Sequence, residues 1–338
     1  MDHVLPLLIL GVLLMLAETA CPEVGAPPPL PEGAGLAAKY PGDVGLEKDS
    51  SVILVENFEA GELDRSRWED VRGGENILFA KEPANVHSGE YACEFVCNQQ
   101  VKDATAKTWF MPGHDTVFVR WYVKFAEDMG KTSHVFSTPI ANPVGEKWGW
   151  TKAGGAGRRP IDAFWTTFES VRSKGVPMPG VWHFYTYWPE MHSHETPEGV
   201  GETTWGNNFS PFEPQPVQKG RWVCVEVMLK ANTPGKYDGE QACWIDGKLA
   251  ARFGPGVPKG YWLRDRFFND PSREPFEGYN WRTRDDVKIN CYSMGLYVSP
   301  GEGVAPVSRM WYDDVVLATK YIGPQRPGPP AGSDTKTE

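Results

Sequence analysis

Residues 221–253, RWVCVEVMLKANTPGKYDGEQACWIDGKLAARF, constrain the fold more than any other stretch of the chain. From Trp222 to Lys230 the side chains alternate. Val223, Val225, Val227 and Leu229 fall on one face, and Trp222, Cys224, Glu226 and Met228 on the other. A period of two with β-branched residues on one side predicts a strand with one apolar face. Turn-forming residues 232–239 lead to a returning strand over 241–245. Asp246-Gly247 then satisfies a type I′ hairpin, whose two central residues both need positive φ. Residues 249–253 complete a three-stranded meander. The chain is read as an antiparallel β-protein.

The remainder supports that class. Residues 117–125 (VFVRWYVKF) place Val119, Trp121, Val123 and Phe125 on one face and Arg120, Tyr122 and Lys124 on the other. Further strands are predicted over 51–58, 91–97, 161–168, 181–188, 289–298 and 309–318. No long helical period and no internal repeat interrupts them. Many short strands with Gly/Pro turns predict a β-sandwich. With 41% hydrophobic residues the chain can bury a full core, and residues 51–324 fit one sandwich domain.

The ends read differently. Residues 4–16 form a thirteen-residue apolar run, too short to span a bilayer and suited to a signal-peptide core. Residues 1–20 are therefore expected to direct export, to the periplasm, the exterior or the outer surface. A lipid anchor at Cys21 is the alternative to simple cleavage. Residues 21–50 read as a Pro/Gly-rich linker, and 325–338 as a disordered tail. Of the five later cysteines, Cys93 and Cys97 lie roughly 13 Å apart on one strand and cannot bridge there. Cys224 and Cys243 either pair across the hairpin or stay free. A net charge of -10 argues against nucleic acid as a partner.

Two segments resemble a known superfamily. The tryptophan-led strand at 222, its Asn-Thr loop and the strand ending Trp-Ile-Asp-Gly-Lys resemble the back-sheet strands of concanavalin A-like jelly rolls. Residues 310–324, MWYDDVVLATKYIGP, are similar to the last strand of secreted bacterial members. The resemblance implies an all-β antiparallel sandwich of jelly-roll type and a carbohydrate ligand. Polysaccharide lyases of family 14 and of the heparin lyase I type, glucanases and lectins share that fold.

Chemistry concentrates between 147 and 190. The stretch 181–188 (VWHFYTYW) sets His183, Tyr185 and Tyr187 on one face, where polar tips can act as base, acid or hydrogen-bond donor. The alternative is a solvated or sugar-stacking face. From 147 to 174, Lys147, Lys152, Arg158, Arg159, Arg172 and Lys174 stand against Asp162 and Glu169, a local +4 that suits an anionic polysaccharide. Gly154-Gly155-Ala156-Gly157 lacks the ending of a phosphate loop, so it either lets backbone approach a ligand or simply turns. The resemblance to family 14 lyases adds that a Tyr-x-Tyr pair works there with Lys and Arg. Tyr185 and Tyr187 have that form, Lys152 lies upstream, and Ser170-x-Arg172 matches a Ser-x-Arg step.

These residue types fit β-elimination. A cation lowers the cost of removing the C5 proton of a uronate, a base takes it, and an acid protonates the departing O4. Arg158 or Arg159 is the candidate neutraliser, Tyr185 or His183 the base and Tyr187 the acid, with His134 an alternative base. The reaction asks for no cofactor. Candidate substrate-binding residues are Arg120, Tyr122, Lys124, Arg172, Trp262 and Tyr279. Tyr279 belongs to the aromatic insertion 264–281, which either covers a cleft and stacks on sugars or packs on the sandwich edge. No paired-carboxylate motif for a retaining glycosidase is present. His192-x-His194-Glu195 reads as a solvated loop rather than a zinc site. The resemblance also implies a structural calcium, for which Glu59 with Asp313 or Asp314 offers oxygen ligands. A glycan-binding protein without catalysis, and a structural surface protein, remain the rival readings.

Overall fold

The structure, a computed structural model, describes residues 27–98, 100–147, 154–299 and 301–328. The signal segment, Cys21, Lys152 and residues 329–338 lie outside them. In chain order the strands are β1 (Val52–Glu56), β2 (Asp70–Arg72), β3 (Ile77–Ala80), β4 (Ala92–Asn98), β5 (Asp103–His114) and β6 (Thr116–Phe125). Then come β7 (His134–Pro143), β8 (Phe164–Val171), β9 (Val181–Tyr187), β10 (Asn207–Phe209), β11 (Trp222–Lys230) and β12 (Glu240–Ile245). The last five are β13 (Lys248–Phe253), β14 (Gly260–Leu263), β15 (Arg266–Asn269), β16 (Val287–Tyr297) and β17 (Val307–Ala318). Among the described residues no helix is long and apolar enough to cross a membrane.

The strands make two stacked sheets. One runs β13-β12-β11-β6-β17-β4-β3, with β1 also pairing β17; the other runs β14-β15-β10-β9-β8-β7-β16-β5-β2. Pairing of these strands is antiparallel except between β10 and β15. This is the predicted all-β jelly-roll sandwich. The meander is as read: Asp246 and Gly247 both have positive φ, as their turn requires. Val119, Trp121 and Val123 of β6 and Val223, Val225 and Val227 of β11 face Phe168, Trp182 and Phe184 of the second sheet in one core. Each such side chain contributes about 1.5–3 kcal/mol on burial. Two long strands of the second sheet, β5 and β7, carry Pro112, Pro139 and Pro143 and escaped the sequence reading, because proline argues against an inner strand.

Several expectations are corrected. From residue 27 onward the segment read as a linker packs on the outer face of the first sheet. Leu36, Ala37 and Leu46 join Phe118, Met228, Trp244 and Tyr321 in a second apolar cluster. On the same outer face Arg120, Tyr122 and Lys124 are buried beneath this segment, residues 84–87 and Gln325, and are therefore structural and not substrate-binding. Arg120 forms a fully buried ion pair with Asp43. The Tyr122 hydroxyl accepts from the Gln325 N–H, and Lys124 donates to the Ala84 carbonyl. Residues 325–328, read as tail, are also held: the Arg326 carbonyl accepts from the Gly42 N–H. Cys224 and Cys243 are free, as Cys243 opposes Val227 in the ladder and faces the core while Cys224 faces outward.

Candidate active site on the concave sheet

The outward face of the second sheet is a trough whose residues follow from register. Asp70 opposes Lys107, Lys107 opposes Ser293, and Ser293 opposes Thr138. On the other side Thr167 opposes Tyr185, which opposes Asn208. The β7–β8 pairing of Ile140 with Trp165, continued two residues, sets Thr138 beside Thr167. One line across the sheet therefore runs from Lys107 over small hydroxyl side chains to Tyr185. Four strand spacings make it about 19 Å.

The Lys107 end is an open cleft of about 230 Å³. Arg72, Lys107 and Lys147 line it against one carboxylate, Asp103, with Gly154 and Gly155 at the rim. Lys107 lies 3.6 Å from Asp70, and Lys147 2.6 Å from Glu69. Burial pushes the Lys107 pKa down to about 8; Asp70 opposes the shift and Arg72 adds to it. Thr138 Oγ1 is buried in the floor without a hydrogen-bond partner, an unmet polar group facing the place a ligand would occupy. Sequence reasoning missed Arg72, Lys107 and Thr138. The alternation of Asp103, Thr105 and Lys107 with buried alanines was the available signal.

The far end is aromatic. Tyr185 and Tyr187 touch through their hydroxyls at 3.4 Å, and Trp165 of the cleft stacks on Tyr187 at 4.3 Å. His134 of β7 comes beside them, its ring 5.2 Å from that of Tyr185. Its Nδ1 is 3.0 and 3.1 Å from the two Glu169 oxygens, which leaves Nε2 for a substrate proton. Burial works against charge on His134, but the Glu169 carboxylate, by charge and hydrogen bond, more than offsets it and raises the pKa. Burial raises the Tyr185 pKa and more strongly that of Tyr187, so both hydroxyls keep their protons.

The other candidates separate. His183 shares the face, but it is buried and its pKa is pushed down to about 3, by burial first and then by Arg266 and His134. It is a neutral, weakly basic ring, contrary to the expectation of a base. Arg158 and Arg159 are exposed on the turn bordering the cleft. Arg172 lies just past the end of β8, and Ser170 faces the other way onto Thr132, so that Ser-x-Arg step is not in the trough. Trp262 is half-buried against His192 and bonded to Glu277. Tyr279 is buried in the core and accepts from Gln241. The insertion 264–281 thus packs on the sandwich edge, with Phe276, Tyr279 and Trp281 in the core, which removes Tyr279 as a substrate contact.

Comparison with solved structures places this architecture. A marine PL-14 alginate lyase from Aplysia kurodai superposes with a TM-score of 0.51 at 12% identity, over 80% of this chain and 100% of that one. A variant of the alginate lyase Aly36B, in complex with an alginate trisaccharide, gives 0.50 at 13%, over 78% and 97%. The fold is the jelly roll that these two structures also have. No family model and no curated protein sequence matches the chain.

The carboxylates expected as calcium ligands, Glu59, Asp313 and Asp314, all accept hydrogen bonds from residues 87–91. Glu59 accepts from the Glu90 and Tyr91 N–H groups. Asp313 accepts from the His87 and Ser88 N–H groups, and Asp314 from the Ser88 hydroxyl. No cluster of three metal-binding side chains occurs among the described residues. The same holds at His192 and His194.

Proposed function

We propose that the protein is an exported polysaccharide lyase that cleaves a uronate-containing chain by β-elimination. The observation that carries this reading is the trough itself, with a cleft lined by Arg72, Lys107 and Lys147 at one end and the His134–Glu169 pair beside Tyr185 at the other. Lys107, Arg72 and Lys147 meet carboxylates of the chain at one end of the trough and anchor it, while the reacting uronate lies beside Tyr185 at the other. His134 Nε2, with Nδ1 held by Glu169, takes the C5 proton. The C5–H electron pair becomes the C4–C5 double bond, the C4–O4 bond breaks, and Tyr185 donates its proton to O4. Burial that keeps Tyr185 protonated suits it to the acid's role rather than the base's. The apolar run over 4–16 supports export. No cofactor is needed for these steps.

A glycan-binding protein without turnover is the second reading. It is favoured by Gly206, which lies so close over the Tyr185 ring that an added Cβ would be 2.5 Å from it. Incubation with a panel of uronate polymers and glycosaminoglycans under ultraviolet absorbance separates the two. Elimination creates a conjugated, absorbing product. A rise that disappears in His134→Gln and in Tyr185→Phe, both still folded, supports the lyase. Binding of a polymer with a flat trace across the panel selects the second reading.

A further inference from the structure

The rim of the trough carries features that the elimination does not use. Gly155 lines the cleft, and its N–H and carbonyl close a tight turn with Arg158. Gly157 in that turn accepts from the Thr204 N–H at 3.1 Å, which ties the turn to residues 203–206. The next residue, Trp205, is 46% exposed although tryptophan is among the costliest side chains to leave in water. Its ring edge lies 3.9 Å from where a Gly157 Cβ would stand, so glycine there leaves the indole uncovered. Arg158 and Arg159 follow Gly157 in the chain and are exposed. Neither has a carboxylate partner among the described residues, and Arg159 donates only to the Gly201 carbonyl at 3.4 Å. Glu195, which holds this segment, is spent on the N–H groups of Glu202 and Thr203.

We propose that Trp205, Arg158 and Arg159 form an outer subsite for a second anionic sugar unit, reached by a chain that leaves the trough over the Gly154–Gly157 turn. An exposed indole offers a flat apolar face for a pyranose ring. Guanidinium groups with no carboxylate partner among the described residues offer paired donors to a uronate carboxylate. On a chain of net charge -10, two adjacent unneutralised arginines beside a bare tryptophan mark a place where a negative ligand is met. The subsite rests on the proposed anionic-glycan reading and adds to it a preference for long chains. A disaccharide is short enough to sit within the trough, whereas a hexasaccharide also reaches the rim.

The test is a calorimetric and tryptophan-fluorescence titration of the full chain with di- and hexasaccharides of uronate, needing no turnover. The wild type is expected to bind the hexasaccharide more tightly. Trp205→Ala and the double variant Arg158→Ala/Arg159→Ala should each cut the hexasaccharide-to-disaccharide affinity ratio by about tenfold. The arginine variant should also flatten the salt dependence of hexasaccharide binding. Circular dichroism checks that these exposed substitutions leave the fold intact. An unchanged ratio in both variants overturns the subsite, as does a wild type that binds neither oligomer. Loss of the ratio in a protein that shows no elimination keeps the subsite and discards the lyase instead.

Discussion

His134 is the residue on which the proposed chemistry turns, and its environment gives it a signature in pH. Glu169 holds its pKa above the ordinary histidine value, and a base must be unprotonated to act. Turnover should therefore rise with pH along a limb centred above 6.5. In Glu169→Gln the carboxylate charge is gone while an amide oxygen remains, so that limb should move to lower pH. His134→Gln should lose about 10²–10⁴-fold in kcat, the usual worth of a positioned acid–base group. A pH–rate profile that does not move in Glu169→Gln would remove His134 from the base's role. Tyr185 was readable from its strand's alternation. The pairing of His134 with Glu169 was not, because the two are thirty-five positions apart and meet only through the β7–β8 register.

At the level of elements, the N-terminal segment behaves as part of the domain. Its prolines and glycines read as a linker because it lacks periodicity, yet it closes the outer face of β6 and β11 with three short 3-10 turns at Leu36–Lys39, Pro41–Asp43 and Leu46–Lys48. Removing residues before Ser51 should expose Phe118, Met228, Trp244 and Tyr321, lower the melting temperature and increase binding of an apolar dye. Within the same segment, Asp43→Ala leaves the wholly buried Arg120 charge with only the Asp314 and Gly323 carbonyls as acceptors and should cost about 3–5 kcal/mol in a urea melt. A loss below about 1 kcal/mol would mean that Arg120 finds another acceptor. The strands that the sequence made legible, β6, β9 and β11, share a clean contrast between faces. Those it hid, β5 and β7, have small or polar side chains toward the trough and prolines along their length. The floor of the site lies on the hidden strands, so the fold class was accessible and the cleft was not.

Across the whole molecule, two buried carboxylates tie stability to pH in a direction opposite to the expected activity. Burial pushes Glu226 up to about 7, partly offset by its bonds from the Ile322 and Gly323 N–H groups. Burial and the neighbouring Asp314 charge push Asp313 up to about 8. A folded-state pKa above the unfolded value means that the native state binds more protons between the two, so stability falls as pH rises through that window. His134, also raised, acts in the same direction. His183 does not oppose them above its ordinary value: its pKa is pushed down to about 3, so its contribution rises with pH only until the unfolded ring has lost its proton. Lys107, lowered to about 8, adds stability only above that. Between pH 6.5 and 8 the carboxylates and His134 therefore set the slope. One proton's difference over that span amounts to about 2 kcal/mol. Denaturant unfolding at pH 6.5 and at pH 8 should show the loss, and Asp313→Asn should flatten the slope while lowering stability at both. A free energy of unfolding that is level or rising across the interval would mean that these carboxylates are ionised in the native state and held by their N–H donors.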